Sequence, residues 1–378
     1  MAVNYIGLAL VLNCGSSSVK YQVVDTTVDA PLASGLIERV TDHGLAIRQV
    51  IESLGAPDSG VDLTKLTVIG HRVLHGGEEF SAPTIIDDEV ERKITRLIPL
   101  GPLHMPANLS GIAAAREAFP DKPHVAIFDT AYFQTMSEAA YTYAIDRNIA
   151  AEHSIRKYGF HGTSYAYLSH EAPRVMGKRP DEVNIIALHL GNGASVTAMR
   201  AGRAIDTSMG LTPLAGLVMG TRTGDIDPAV AFHLGRSAGM TLDEIDHLFN
   251  RQSGMLGLTG YSDMRDVEKA AEEGSHDAQL GLEIYCRRIR GYVGQYYAQL
   301  GHVDAIVFTA GVGENSDIVR MQSLVGLSEL GIIMDPERNA GRKKQATLVS
   351  ADESPVQVWV VPTNEEREIA LQSIAAVS

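Results

Sequence analysis

Short apolar runs, each closed by small or glycine-containing turns, set the rhythm of the chain. Residues 8–12 have the length and composition of a buried strand, which stops at the turn formers Asn13-Cys14-Gly15-Ser16-Ser17-Ser18. A second strand follows by alternation, with Val19, Tyr21 and Val23 on one face and Lys20 and Gln22 on the other. Further strands are predicted over 33–40, 66–69, 124–128, 184–190, 305–308 and 356–361, with another beginning at Val196. Helical spacing predicts helices over 45–54, 90–97, 228–234, 242–248, most of 267–300 and the stretch from Thr363. Residues 98–109 carry three prolines and cannot continue a helix, so Asn108 is expected to cap a helix over 109–118. The 206–227 stretch is rich in Gly and Thr without a helical period, which predicts a long functional loop or a set of turns.

The strand–turn pattern around Gly15 recurs around Gly193. The strand ending at Asp129 has a counterpart ending at Thr309, at nearly the same offset. That agreement, close to half the chain length, predicts a duplicated α/β domain. A chain of 378 residues also exceeds what one core usually fills.

Composition narrows the class. The chain is 45% hydrophobic and 21% charged, as globular proteins are, and its net charge of −14 argues against nucleic-acid or anionic-membrane partners. No apolar run reaches membrane-spanning length. Two distant cysteines, Cys14 and Cys286, give no disulfide framework and suit a reducing cytoplasm.

Glycine-bearing turns directly after apolar strands occur at Gly15 to Ser18, Gly191 to Ser195 and Gly311 to Asn315. Three such turns on a duplicated α/β frame point to a nucleoside triphosphate between two domains. GxxxxGK[ST], GxGxxG and the HRD and DFG pair are all absent, which excludes P-loop, dinucleotide and protein-kinase patterns. Arg72, in a loop after a strand, offers a fork for a carboxylate or phosphate. Asp129 at a strand end suits a metal or nucleophile, or simply a cap; His161 suits an anion or a loop hydrogen bond. Arg222 suits a phosphoryl group, or a salt bridge to Asp225 or Asp227.

The segments NCGSSSVKY, GHRVLHGGEEF, VAIFDTAYFQTM, RKYGFHGTSY, HLGNGASVTA, DTSMGLTPLAGLVMGTRTGDIDPA, SDMRD, FTAGVGENS and PTNEE resemble, in this order, the acetate kinase family, from Asn13 to Glu366. The resemblance implies a duplicated fold of the acetate-and-sugar-kinase, heat-shock-protein and actin type (ribonuclease H-like). Its two domains, with a central nucleotide cleft, would span residues 1–133, completed by a helix over 366–378, and residues 134–365. It implies reversible, direct in-line phosphorylation of acetate by ATP, giving acetyl phosphate and ADP. It also implies Mg²⁺, with Mn²⁺ as a substitute, and a homodimer. A propionate or other short-chain acyl kinase is the alternative, and a non-catalytic ATP-binding module a more distant one.

Carried over by motif, Asn13 and Glu365 would hold the metal, and Ser16, Ser18 and Lys20 would lie along the phosphates. His189, Leu190, Gly191, Asn192 and Gly193 would support the phosphoryl groups. Asp263, Met264 and Arg265, with Gly311, Val312, Gly313, Glu314 and Asn315, would hold the adenosine. Arg72 would bind the substrate carboxylate; Asp129 would position the metal or attacking oxygen; His161 and Arg222 would stabilise charge in transfer. Leu74, Leu103, Phe160 and Pro213 would line the pocket for the alkyl end. Met105, Phe133 and Tyr165 depart from the family pattern, where Asn or His is usual, and put supporting hydrogen bonds there in doubt. The segment between Asp25 and Gly70 is also shorter than the family's usual length.

Overall fold

A computed structural model of the chain describes residues 6–15, 18–28 and 30–378. By contact the chain divides into two compact units. One comprises Met1–Gln134, His161–Tyr167 and Asn364–Ser378; the other comprises Thr135–Phe160 and Leu168–Thr363.

The first unit is built on a six-stranded sheet. Its strands are β1 (Leu8–Cys14), β2 (Ser18–Asp25), β3 (Ala33–Glu38), β4 (Val68–Val73), β5 (Thr84–Ile85) and β6 (His124–Phe128), in the order β3-β2-β1-β4-β6-β5. The hairpin strands β1, β2 and β3 are antiparallel, whereas β1, β4 and β6 run parallel. Strand β1 is apolar from Leu8 to Leu12, where both of its faces are covered. Leu10 and Leu12 pack with Ile47, Val50, Ala114 and Ala115. On the other face, Ala9 and Val11 pack with Ile369, Ala370 and Ile374 of the last helix, Glu365–Val377. Full burial of each such isoleucine is worth about 1.5–3 kcal/mol, which docks the end of the chain against its beginning.

The second unit repeats the plan with β7 (Asn184–Leu190), β8 (Ala194–Arg200), β9 (Arg203–Thr207), β10 (Ala305–Thr309), β11 (Thr347–Leu348) and β12 (Gln357–Val360). Its order is β9-β8-β7-β10-β12-β11, again an antiparallel hairpin joined to parallel strands. The duplication therefore holds, but one expected correspondence does not. Strand β10 lies beside β7 as β4 lies beside β1, so β10 is the counterpart of β4, and β12 that of β6. Neighbouring parallel strands carry interchangeable apolar runs, and the matching offset paired the wrong two.

A second correction concerns the prolines. The helix expected over 109–118 starts four residues earlier, as Met105–Ala118, with a proline in its first turn, where the missing N–H costs nothing. Asn108 is inside that helix and is not its cap. The 206–227 stretch forms strand β9 only at its start and is otherwise without regular structure.

Candidate active site

In the first unit, the parallel strands bring their C-terminal ends to one edge of the sheet, where open α/β sheets place their sites. Asn13 pairs with Arg72 across β1 and β4, and Val73 pairs with Phe128, whose successor is Asp129. The Asp129 N–H continues the ladder by donating to the Val73 carbonyl at 3.0 Å. Arg72 Nε and Nη2 donate to the two oxygens of Asp129 at 2.9 and 2.7 Å, a two-pronged pair whose carboxylate is fully buried. Among the described residues, the third nitrogen, Nη1, reaches only Asn13 Oδ1, at 3.4 Å. Burial works against the Arg72 charge, but Asp129, then Glu365 and Glu366, more than offset it and raise its pKa.

The last helix supplies those acids in its first turn, after an Asn364 cap that accepts from the Arg367 N–H. Glu365 Oε2 accepts from the Thr163 hydroxyl at 2.9 Å, and Glu366 pairs with Lys20 at 2.6 Å. Lys20, expected along phosphates, thus already has a carboxylate partner. His161 takes the left-handed region, φ 61°, immediately before the helix Gly162–Val175. Gly162 is needed there because a Cβ would collide with the Asp129 carbonyl oxygen.

Leu74 follows β4, and its N–H donates to Asn108 Oδ1 at 3.0 Å, while Asn108 Nδ2 donates to the Cys14 carbonyl at 2.7 Å. This asparagine, missed as a site residue, ties two strand ends together from inside a helix. Leu103 is 45% exposed. Ser18 opens β2, and its carbonyl accepts from the Gly15 N–H. Ser16 lies outside the described residues. Met105, Phe133 and Tyr165 are fully buried, and Phe133 and Tyr165 meet edge to face at 5.8 Å. These departures from the family pattern are packed into the interior.

The second unit contains a cavity of about 630 Å³. Gly191, Asn192, Asp263, Met264, Arg265, Gly311, Val312 and Asn315 line it, joining three separate sequence motifs at one place. Gly193 closes the hairpin turn by accepting from the Gly191 N–H, and His189 and Leu190 are buried on β7. Gly220 also lines the cavity, where any side chain would strike Asn192 Oδ1. Asp263 caps the helix Met264–Glu272 and takes the Arg265 side chain; that side chain and the Arg265 N–H hold its pKa down to about 2. Residues Gly311 to Asn315 form the helix Ala310–Asn315 directly after β10. Glu314 accepts from the Thr363 N–H, and burial raises its pKa. Arg320, which no motif flagged, is fully buried and donates to carbonyls of Gly313, Asn339 and Gly341 at 2.7–3.0 Å.

Arg222 stands apart from both acids that could have paired with it. Asp225 takes the Gly216 N–H and the Tyr292 hydroxyl, and Asp227 takes the Ala229 N–H. Arg222 Nη1 donates instead to the Pro213 carbonyl at 2.7 Å, and no ion pair involves it among the described residues. Burial, then the charge of Arg251, lowers its pKa to about 10. Of the four expected pocket residues, Leu74 and Leu103 belong to the first unit and Phe160 and Pro213 to the second.

For a metal, Asn13 and Glu365 offer oxygen atoms, the donor type that Mg²⁺ takes. Among the described residues no group of three or more His, Cys, Asp or Glu is arranged to hold a metal ion. Mg²⁺ commonly needs only one or two protein oxygens, with water and phosphate completing its shell, so the donor set fits that mode.

A doubled mixed sheet, with glycine turns around a nucleotide-sized cavity and a cation–carboxylate cluster at strand ends, defines a phosphotransferase-type α/β fold. The Acetokinase family model matches residues 8–52 and 38–371. The acetate kinase of Leifsonia xyli subsp. xyli is 53% identical over 391 residues, covering 98% of each chain. In structure, the chain resembles acetate kinase from Porphyromonas gingivalis (TM-score 0.94, 39% identity, covering 98% of this chain and 100% of that one). It also resembles a propionate kinase from Francisella tularensis (TM-score 0.91, 38% identity, covering 97% and 99%). The chain belongs to the acetokinase family.

Proposed function

We propose that the protein transfers the terminal phosphoryl group of ATP to the carboxylate of acetate, giving acetyl phosphate and ADP, and runs the reverse reaction equally well in kind. The observation that carries this is Arg222, a largely buried cation whose guanidinium, among the described residues, hydrogen-bonds one carbonyl. A transferring phosphoryl group spreads negative charge over three oxygens, and a pre-placed cation stabilises it without reorganisation.

The remaining parts follow from the chemistry. An acetate oxygen forms a bond to the γ-phosphorus as the bond to the β,γ-bridging oxygen breaks, and ADP leaves. Acetate is already ionised near neutral pH, so no strong base is needed. The task is to hold two anions in line and neutralise them. Arg72, gripped by Asp129 at two nitrogens, keeps Nη1 for the substrate carboxylate. His161 supplies a second donor to the phosphoryl oxygens. The glycine turns at Gly191 and Gly311 offer backbone N–H groups to the nucleotide, and Asp263 to Arg265 flank its adenosine. Mg²⁺, or Mn²⁺ in its place, would be held by Asn13 and Glu365 and would supply charge neutralisation at the phosphates.

A propionate kinase reading rests on the structural likeness to the Francisella enzyme. The boundary of the two domains near residue 133, a homodimeric state and a cytoplasmic location are proposed from the family resemblance. Two buried free cysteines agree with a reducing compartment. The test is a coupled assay of ADP release from Mg-ATP with acetate, propionate and butyrate. Acetate-dependent turnover that stops when the metal is chelated supports the proposal; ATP hydrolysis indifferent to carboxylate would overturn it.

A further inference from the structure

The cavity of the second unit has a buried polar atom that the mechanism leaves unused. Tyr285 lines it from the long helix His276–Leu300. The residue is 2% exposed, and its hydroxyl has no hydrogen-bond partner among the described residues. Native interiors rarely leave such a group unmade, and an exception at a cavity wall points to a ligand. Among the described residues, none of the other side chains that line this cavity buries a polar atom in this way.

The helix geometry explains how the ring reaches the wall. Helical side chains lean back over the preceding turn, and the residue one turn before Tyr285 is Gly281, whose missing side chain lets Thr259 and Met255 pack close against the helix. A Cβ on Gly281 would collide with Thr259 and press on Met255, a cavity-lining residue. Met255, Tyr285 and Val312 therefore give the cavity an apolar wall, distinct from the glycine turns that carry Gly191 and Gly311. Turns of exposed N–H groups suit phosphates, and an apolar wall suits a flat heterocycle. Burial, then the neighbouring Cys286, raises the phenol pKa, so the group is an O–H donor at any working pH.

We propose that Tyr285 is a specificity residue for the nucleotide base: its hydroxyl donates to a ring nitrogen of a bound purine. This rests on the reading of the cavity as the ATP site. It assigns discrimination between purine and pyrimidine donors to one hydroxyl. A site built around a hydrogen bond rejects partners that cannot make it, whereas an apolar wall alone discriminates weakly.

The test compares wild type with Tyr285→Phe, which removes the oxygen and keeps the ring. ATP and CTP serve as phosphoryl donors to acetate, ADP binding is measured by titration calorimetry, and melting is followed without nucleotide. The expected result is a rise of about 3- to 10-fold in KM for ATP and in Kd for ADP. CTP kinetics, the KM for acetate and kcat should be unchanged, and the melting temperature of the free variant should not fall, since an unmade buried hydroxyl has been removed. Equal weakening of ATP and CTP, or no change with either, would overturn the inference while wild-type turnover left the ATP reading standing. Absence of wild-type turnover with ATP would instead overturn the reading on which it rests.

Discussion

Replacing Arg222 by alanine separates a catalytic charge from a structural one, because the two roles predict opposite stability effects. Burial, then the charge of Arg251, lowers the guanidinium pKa from its ordinary value to about 10. That depression means the unfolded chain holds the proton more tightly than the folded one. At pH 7 the charge therefore opposes folding in full, and the opposition fades only as pH rises through about 10 towards the unfolded value. At 1.36 kcal/mol per unit it is at most about 3 kcal/mol, before discounting for partial exposure. Truncation also removes the buried stem, which costs about 2 kcal/mol at roughly 0.8 per methylene. The two nearly cancel, so the melting temperature of Arg222→Ala should shift by no more than a few degrees. Activity should behave quite differently. Removing one preorganised donor or an arginine from a phosphoryl-transfer site costs about 10³-fold in kcat. Differential scanning fluorimetry beside a coupled ADP assay reads both quantities on one preparation. A melting temperature lowered by more than about 10 °C, or a kcat reduced less than tenfold, would refute the assignment.

Other substitutions probe other parts of the account. Leu74→Ala enlarges the wall beside β4 and should raise the ratio of propionate to acetate kcat/KM by about tenfold or more; an unchanged ratio would remove Leu74 from the pocket. Arg320→Met strips the fully buried guanidinium from the carbonyls of Gly313, Asn339 and Gly341, and should destabilise the protein by about 3–5 kcal/mol in urea unfolding. A smaller loss would mean those carbonyls find water. His71 and His124 share a 3.0 Å contact inside the first unit. The Phe119 carbonyl can only accept, so His124 Nε2 carries its proton and His71 donates to Nδ1. Burial, the leading cause for each ring, holds both pKa values below 6.5, so the unfolded chain binds more protons in acid. Stability should therefore be intact above about pH 6.5 and fall below it, by up to about 1.4 kcal/mol per pH unit for each ring. His71→Gln should flatten that slope in melts between pH 7 and 5, and an identical slope would contradict the assignment.

What could be read from the sequence had a local signature. The strand β1 and its turn, the helix-opening acids of the PTNEE segment and the three glycine turns each declare themselves within about ten residues. So did the doubling of the fold, although not which strands correspond, because β6 and β10 are apolar runs with no mark of their neighbours. Asn108 was misread because a polar residue before an apolar helical stretch looks like a cap. Its actual partners are Cys14, the last residue of β1, and Leu74, just after β4. Asp129 was seen as a strand-end carboxylate, but its two-pronged pairing with Arg72, 57 residues earlier, is a property of β4 and β6 lying side by side. Arg320 and Tyr285 had no signal at all. An arginine and a tyrosine on helices are ordinary surface residues until the packing around them is known.

The claim beneath all of this is that a carboxylate oxygen attacks the terminal phosphorus of ATP. The most direct measurement follows ³¹P resonances of purified protein with Mg-ATP and acetate. A new acyl-phosphate signal growing in step with ADP, and consumed when acetate is withdrawn and ADP supplied, is the predicted result. Loss of ATP signal into orthophosphate alone, at the same rate with and without acetate, would contradict the account.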